Sequence, residues 1–140
     1  MRAKDYLEQV RKLNAQLENK RFEQAHWRGI ALGFSSASAA ERVQSSGGGR
    51  KTAEAIDRSV DAGREADAFL AKVYAVTSEV VQTIEQLPFA EYDVLHKRYI
   101  QGMTFDEIAG QERKSRSWAM AVHRNGLRLL QEILDGRTND

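Results

Sequence analysis

The stretch from Leu87 to Leu134 leaves the C-terminal third of this chain little choice of fold, because helix starts and stops follow one another there at short intervals. It opens next to Pro88, the single proline of the sequence, which suits the first turn of a helix, where its missing N–H would be unpaired in any case. Tyr92, Leu95 and Tyr99 recur at helical spacing and predict one apolar face. Gly102 falls where that helix should stop, a place that favours a left-handed residue. Thr104 with Glu107 reads as a capping box, each side chain satisfying a backbone donor at the other's position, and it starts a second, short helix. Phe105, Ile108 and Ala109 give that helix a small apolar face, and Gln111-Glu112-Arg113-Lys114 is too polar to continue it and predicts a turn. Ser115 can cap a third helix, whose Ala119, Val122, Leu127, Leu130 and Leu134 form an inward stripe up to Gly136.

Lys114, Arg116 and Arg124 lie between Arg113 and Arg128 with no acidic residue among them, so this surface should be locally positive. The whole chain is nearly neutral, with a formal net charge of +1, and any attraction for a phosphate backbone has to come from such a patch.

The run from Leu95 through Gly102 and Thr104 to Ala109 resembles the start of the helix-turn-helix in the fourth region of sigma factors, a motif shared by phage proteins of the ArpU and RinA type. In those regulators a comparable motif ends the chain after an N-terminal helical segment with a Ser/Gly-rich loop, which is also the layout here. The resemblance implies a role in transcription. It also implies base-facing side chains at Arg116, Ser117, Met120 and Ala121. Arg116 can pair bidentately with guanine, Ser117 can donate or accept, and Met120 and Ala121 can touch only thymine methyls. Arg113, Lys114, His123, Arg124 and Arg128 are the expected phosphate contacts. The turn departs from the family pattern of an apolar residue followed by glycine: Glu112 and Arg113 stand there, so Arg113 would have to adopt a conformation that glycine takes more easily. Trp118 likewise stands where a smaller or polar residue is commoner.

Upstream, Tyr6, Val10, Leu13 and Leu17 alternate three and four residues apart, which is coiled-coil spacing. Phe22, Ala25, Trp27 and Ile30 extend that helix with a shifted stripe, and periodicity is lost after Gly33. The Ser/Gly-rich stretch of about 33–51 is expected to be a mobile loop. A long helix should follow from about Thr52 to Leu87, with Ile56, Val60, Leu70, Val73, Val80, Ile84 and Leu87 on its apolar face. One narrow stripe cannot stabilise such a helix alone. The first helix folding back as an antiparallel hairpin covers part of it, and the surplus predicts a homo-oligomer joined through Val10, Leu13, Leu17, Leu70, Val73, Val80 and Ile84. In a monomer, the C-terminal domain would have to cover that remainder.

Other chemistry finds no support in the spacing. Gly47-Gly48-Gly49-Arg50-Lys51-Thr52 lacks the glycine directly before the lysine and the upstream strand of a phosphate loop. His26, His96 and His123 are scattered, and cysteine is absent, so no metal or cofactor is expected. Asp57, Asp61, Glu65 and Asp67 alternate with Arg58 and Arg64, as on a solvated, ion-paired face rather than in a catalytic pair. No apolar run spans a bilayer and the first residues do not resemble a signal peptide, so a cytoplasmic location in a bacterial host is expected.

The expectation is an all-α protein: a coiled-coil-like hairpin arm over 1–87 and a helix-turn-helix domain over 88–140. It would act without catalysis as a sequence-specific regulator of phage or prophage transcription, with double-stranded DNA as partner and RNA polymerase as a second candidate. The alternatives are a terminase small subunit that recognises packaging-site DNA and a module that engages polymerase or a host factor without binding DNA.

Overall fold

The computed structural model describes residues 1–33 and 48–138 and is all-helical, with no strand among the described residues. In chain order the helices are α1 (Ala3–Leu32), α2 (Gly48–Ile84), α3 (Phe89–Leu95), α4 (Phe105–Glu112) and α5 (Arg116–Thr138), with a π-helical turn, His96–Ile100, continuing α3. No described helix is long and apolar enough to cross a membrane.

Several boundaries follow from the residues expected to set them, and some move. Helix α2 begins at Gly48, so the last residues of the expected loop, Gly48 to Lys51, are its first turn. Residues 34–47 of that loop lie outside the described residues. Pro88 precedes α3 as its cap, in an extended conformation (φ −54°, ψ 152°), and accepts from the Tyr92 N–H through its carbonyl. The π turn was not foreseen. It widens the helix so that Gln101 N–H bonds to His96 O, and it ends where Gly102 turns left-handed (φ 75°) and lets Met103 N–H reach Lys97 O at 2.9 Å.

The described residues fall into two compact units that meet elsewhere than at the 87/88 boundary expected from sequence: residues 1–13 with 73–138, and residues 14–33 with 48–72. In the first unit, Ala3, Tyr6, Leu7 and Val10 are buried in one cluster with Val80, Ile84, Leu87, Leu95, Tyr99, Leu130 and Leu134. A second cluster joins Val94, Ile108, Ala109 and Ala119, with Met103, Phe105, Trp118 and Val122 packed around them. Polar contacts fix the register. Gln131 accepts from the otherwise unpaired Ala3 N–H at 2.8 Å and donates to Met1 O at 3.1 Å, capping the start of α1. The Tyr6 hydroxyl reaches Thr83 Oγ1 at 2.9 Å, and Arg137 donates to the same oxygen at 2.7 Å. Gly126 sits in the interior of α5 because a Cβ there would lie 3.2 Å from the side chain of Leu95.

In the second unit α1 and α2 run antiparallel, as the pairs Lys20–Glu65 (2.7 Å), Gln24–Ser59 (3.4 Å) and Trp27–Arg58 (guanidinium 4.7 Å from the ring centre) require. Leu17 is buried there with Ala55, Ala62 and Ala66, whose small side chains permit close approach.

The residues expected to join one copy to another are largely used within one chain. Val10, Val80 and Ile84 are buried in the first unit and Leu17 in the second, while Leu13, Leu70 and Val73 are half-buried. Their coiled-coil spacing reports an apolar face, and helices of the same chain cover much of it. Large apolar groups left exposed lie elsewhere, among them Phe22, Leu32, Ile56, Val60, Tyr74 and Phe89.

Candidate nucleic-acid interface

The segment from Thr104 to Arg128 is held at three points by local chemistry. At the first, Thr104 Oγ1 accepts from the Glu107 N–H (3.1 Å) and the Glu107 carboxylate accepts from the Thr104 N–H (3.2 Å), so the capping box is complete. At the third, Ser115 Oγ accepts from the Trp118 N–H at 3.0 Å and starts α5. Between them, Arg113 takes the left-handed conformation (φ 55°, ψ 44°), the one non-glycine residue with positive φ among those described. Its N–H bonds to Gly110 O (3.3 Å), and that of Lys114 to Ala109 O (2.9 Å), which closes α4 in a Schellman turn.

The arginine therefore carries backbone strain that glycine would not. Arg113→Gly is expected to raise stability by about 1 kcal/mol, since a left-handed L-residue costs roughly 1–2 kcal/mol and the added chain entropy of glycine returns part of it. Urea unfolding would check this, and a variant no more stable than the parent would refute the strain.

Glu112, the other departure in the turn, has its own partner. Its carboxylate contacts the Lys97 ammonium, which also donates to Asp93 at 2.8 Å, and the Lys97 side chain is only 13% exposed. Burial works against the lysine's charge, but the bonds to Asp93 and Glu112 outweigh it and hold the pKa above the ordinary lysine value. The acidic residue in the turn is thus compensated from the π turn.

Of the side chains expected to face bases, Arg116, Ser117 and Ala121 are exposed and Met120 is 40% exposed. The buried Ala119 and half-buried Val122 face the core from the same helix. Arg116 lies 3.9 Å from Asp106, and its side chain is 63% exposed, so the pair is weak. Arg113, Lys114 and Arg124 are exposed. Arg128 is exposed too, but it is engaged with Glu132 (3.1 Å) and Asn125 (2.9 Å).

His123 differs from the phosphate contact expected of it. Its Nε2 lies 2.7 Å from the Tyr99 hydroxyl, its ring stacks on Tyr99, and its edge meets Phe105 at 5.0 Å between centres. Burial, reinforced by the charges of Arg98, Lys4 and Arg11, lowers its pKa to about 4. The ring is neutral at pH 7 and brings no charge to a phosphate.

Two side chains in this region, Arg98 and Arg11, carry no signal in the sequence pattern. Arg98 lies over the Phe105 ring at 4.4 Å and donates to Met103 O at 3.1 Å. Arg11 of α1 donates to Arg98 O at 2.8 Å and lies 5.2 Å from the centre of the Tyr99 ring. Their spacing along the chain follows no periodic pattern that would have paired them. No cluster of potential metal ligands occurs among the described residues. Comparison with protein-family models, with curated proteins and with solved structures gave no match, so function has to be argued from these residues.

Proposed function

We propose that this protein is a sequence-specific, double-stranded-DNA-binding regulator of transcription, with α4, the Arg113 turn and α5 as its helix-turn-helix and α5 as the helix that enters the major groove. The carrying observation is the outer stripe of α5: Arg116, Ser117, Met120, Ala121 and Arg124 are all exposed on a helix whose opposite side is locked into the core. From Arg113 to Arg128 that helix and its turn contain five Lys and Arg residues and no carboxylate. Such a stripe supplies both classes of contact that DNA reading needs, hydrogen bonds and apolar contacts to base edges and cations for phosphates. The likeness of Leu95–Ala109 to sigma region four supports transcription, and the ArpU and RinA resemblance supports phage or prophage genes as the target. No catalytic group is needed for this role.

The test changes Arg116 and Lys114 separately to alanine and measures binding to fragments selected from the source genome at fixed salt. Arg116→Ala is expected to cost about 1–3 kcal/mol and relax base preference at one position, whereas Lys114→Ala should weaken all sequences alike and flatten the salt dependence by about one counterion. Binding unchanged in both variants would sink the proposal. Selected fragments that map to a packaging site would replace transcription with packaging.

A further inference from the structure

The first turns of α1 belong to the same compact unit as α4 and α5 and bring cations to it from outside the motif. We infer that Lys4 and Arg11 of α1, with Arg98 of the π turn, form a second row of phosphate contacts that continues from Arg124, so that the first helix is part of the DNA interface; the inference rests on the DNA-binding role proposed above.

Arg11 reaches the motif directly. Its guanidinium donates to Arg98 O at 2.8 Å and lies 5.2 Å from the centre of the Tyr99 ring, whose hydroxyl is 2.7 Å from His123 Nε2. Arg98 in turn covers the Phe105 ring at 4.4 Å, and Phe105 and His123 line one hollow with Arg124. Lys4 stands seven residues before Arg11 in α1, which puts the two on one face of the helix. Ala3, its neighbour, is fixed to Gln131 at 2.8 Å, and Gln131 shares a face of α5 with Arg124, again seven residues away. After burial, the charges that act on the His123 ring are Arg98, Lys4 and Arg11, all cations, as expected where the three converge on that side of the fold.

The nearby carboxylates are already engaged. Glu8, on the same face of α1, pairs with Arg11 at 3.5 Å, and Asp106 faces Arg116 at 3.9 Å. Lys4, Arg98 and Arg124 have no carboxylate at ion-pair distance among the described residues. Arg11 is pinned about 10 Å along α1 from Lys4, at roughly 1.5 Å per residue, and that spread suits the successive phosphates of a strand rather than one small anion. Contacts of this kind fix the orientation of a duplex and carry no sequence information.

Lys4→Gln and Glu8→Gln, made separately in the full chain, test the row on the best-bound duplex selected from a random-sequence pool, with affinity measured between about 50 and 200 mM salt. Lys4→Gln is expected to weaken binding about 5-fold at the low end, the worth of one solvent-exposed charge pair, and to lower the salt slope by about one with base preference untouched. Glu8→Gln is expected to act in the opposite sense and tighten binding about 3-fold, because it removes the carboxylate that competes for Arg11. A damaged fold would not produce such a gain. A duplex bound with salt-dependent affinity whose slope Lys4→Gln leaves unchanged would overturn the inference while leaving the DNA-binding role standing. A Glu8→Gln variant that binds no tighter than the parent would do the same. Failure to select any duplex would bring down the DNA-binding role itself, and the inference with it.

Discussion

A chain that lacks residues 1–13 is expected to lose the cooperative folding of its C-terminal helices. Tyr6, Leu7 and Val10 are buried among Val80, Ile84, Leu95, Tyr99 and Leu130, and Leu7 has no exposed surface at all. Burying one such side chain is worth about 1.5–3 kcal/mol. Three of them together match the whole stability of a small domain, about 5–15 kcal/mol. Removing the segment also takes the Tyr6 hydroxyl from Thr83 and the Ala3 N–H from Gln131, and uncovers the Arg98 carbonyl that Arg11 satisfies. A milder version keeps the chain intact: Leu7→Ala should cost about 2–5 kcal/mol, because a cavity opens between α1, α2 and α5. Urea unfolding followed by circular dichroism reads both. A fragment beginning at residue 88 that unfolds in a single cooperative transition would show that the first helix is dispensable and would restore the boundary expected from sequence.

The compact units divide the chain elsewhere than at 87/88 for a physical reason. Tyr6, Val10, Leu13 and Leu17 announce an apolar face through their spacing, but spacing does not name the surface that covers it. The covering is done by residues far along the chain, as the Ala3–Gln131 and Tyr6–Thr83 contacts show, and nothing local to α1 encodes those partners. The same holds for the surplus apolar surface that suggested self-association. Leu17 is buried in the second unit and Val10 in the first, so one continuous stripe serves two cores.

The candidate interface was more legible, since caps and turns are written in neighbouring residues. Thr104 with Glu107, Gly102 with its positive φ, and Ser115 at the start of α5 act where the sequence placed them. The strain at Arg113 was also legible, because a position that wants glycine and holds arginine must pay in backbone energy. What stayed hidden depends on tertiary geometry: the π turn, the pairing of Glu112 with Lys97, and the aromatic group around Phe105. Glu112 looked like a defect in the turn, and it is a partner for a nearly buried lysine that would otherwise share only Asp93.

His123 gives the interface a dependence on pH that its sequence position alone does not suggest. The folded chain holds the imidazole neutral down to about pH 4, through burial first and then through the charges of Arg98, Lys4 and Arg11, whereas the unfolded chain takes up a proton near pH 6.5. Above pH 6.5 the ring is neutral in both states and contributes nothing to the pH profile. As pH falls from 6.5 toward 4, the unfolded state gains a proton that the folded state refuses, and stability declines through that window. A shift of this size corresponds to about 2–3 kcal/mol once partial exposure is allowed for. Below pH 4 the folded ring is protonated too and the loss levels off. Carboxylates titrate in part of the same range, so the difference between the parent and His123→Gln isolates the ring: the parent should lose more stability than the variant between pH 6.5 and 4. Parallel stability profiles for the two proteins would mean that the ring is free to take up its proton in the folded state.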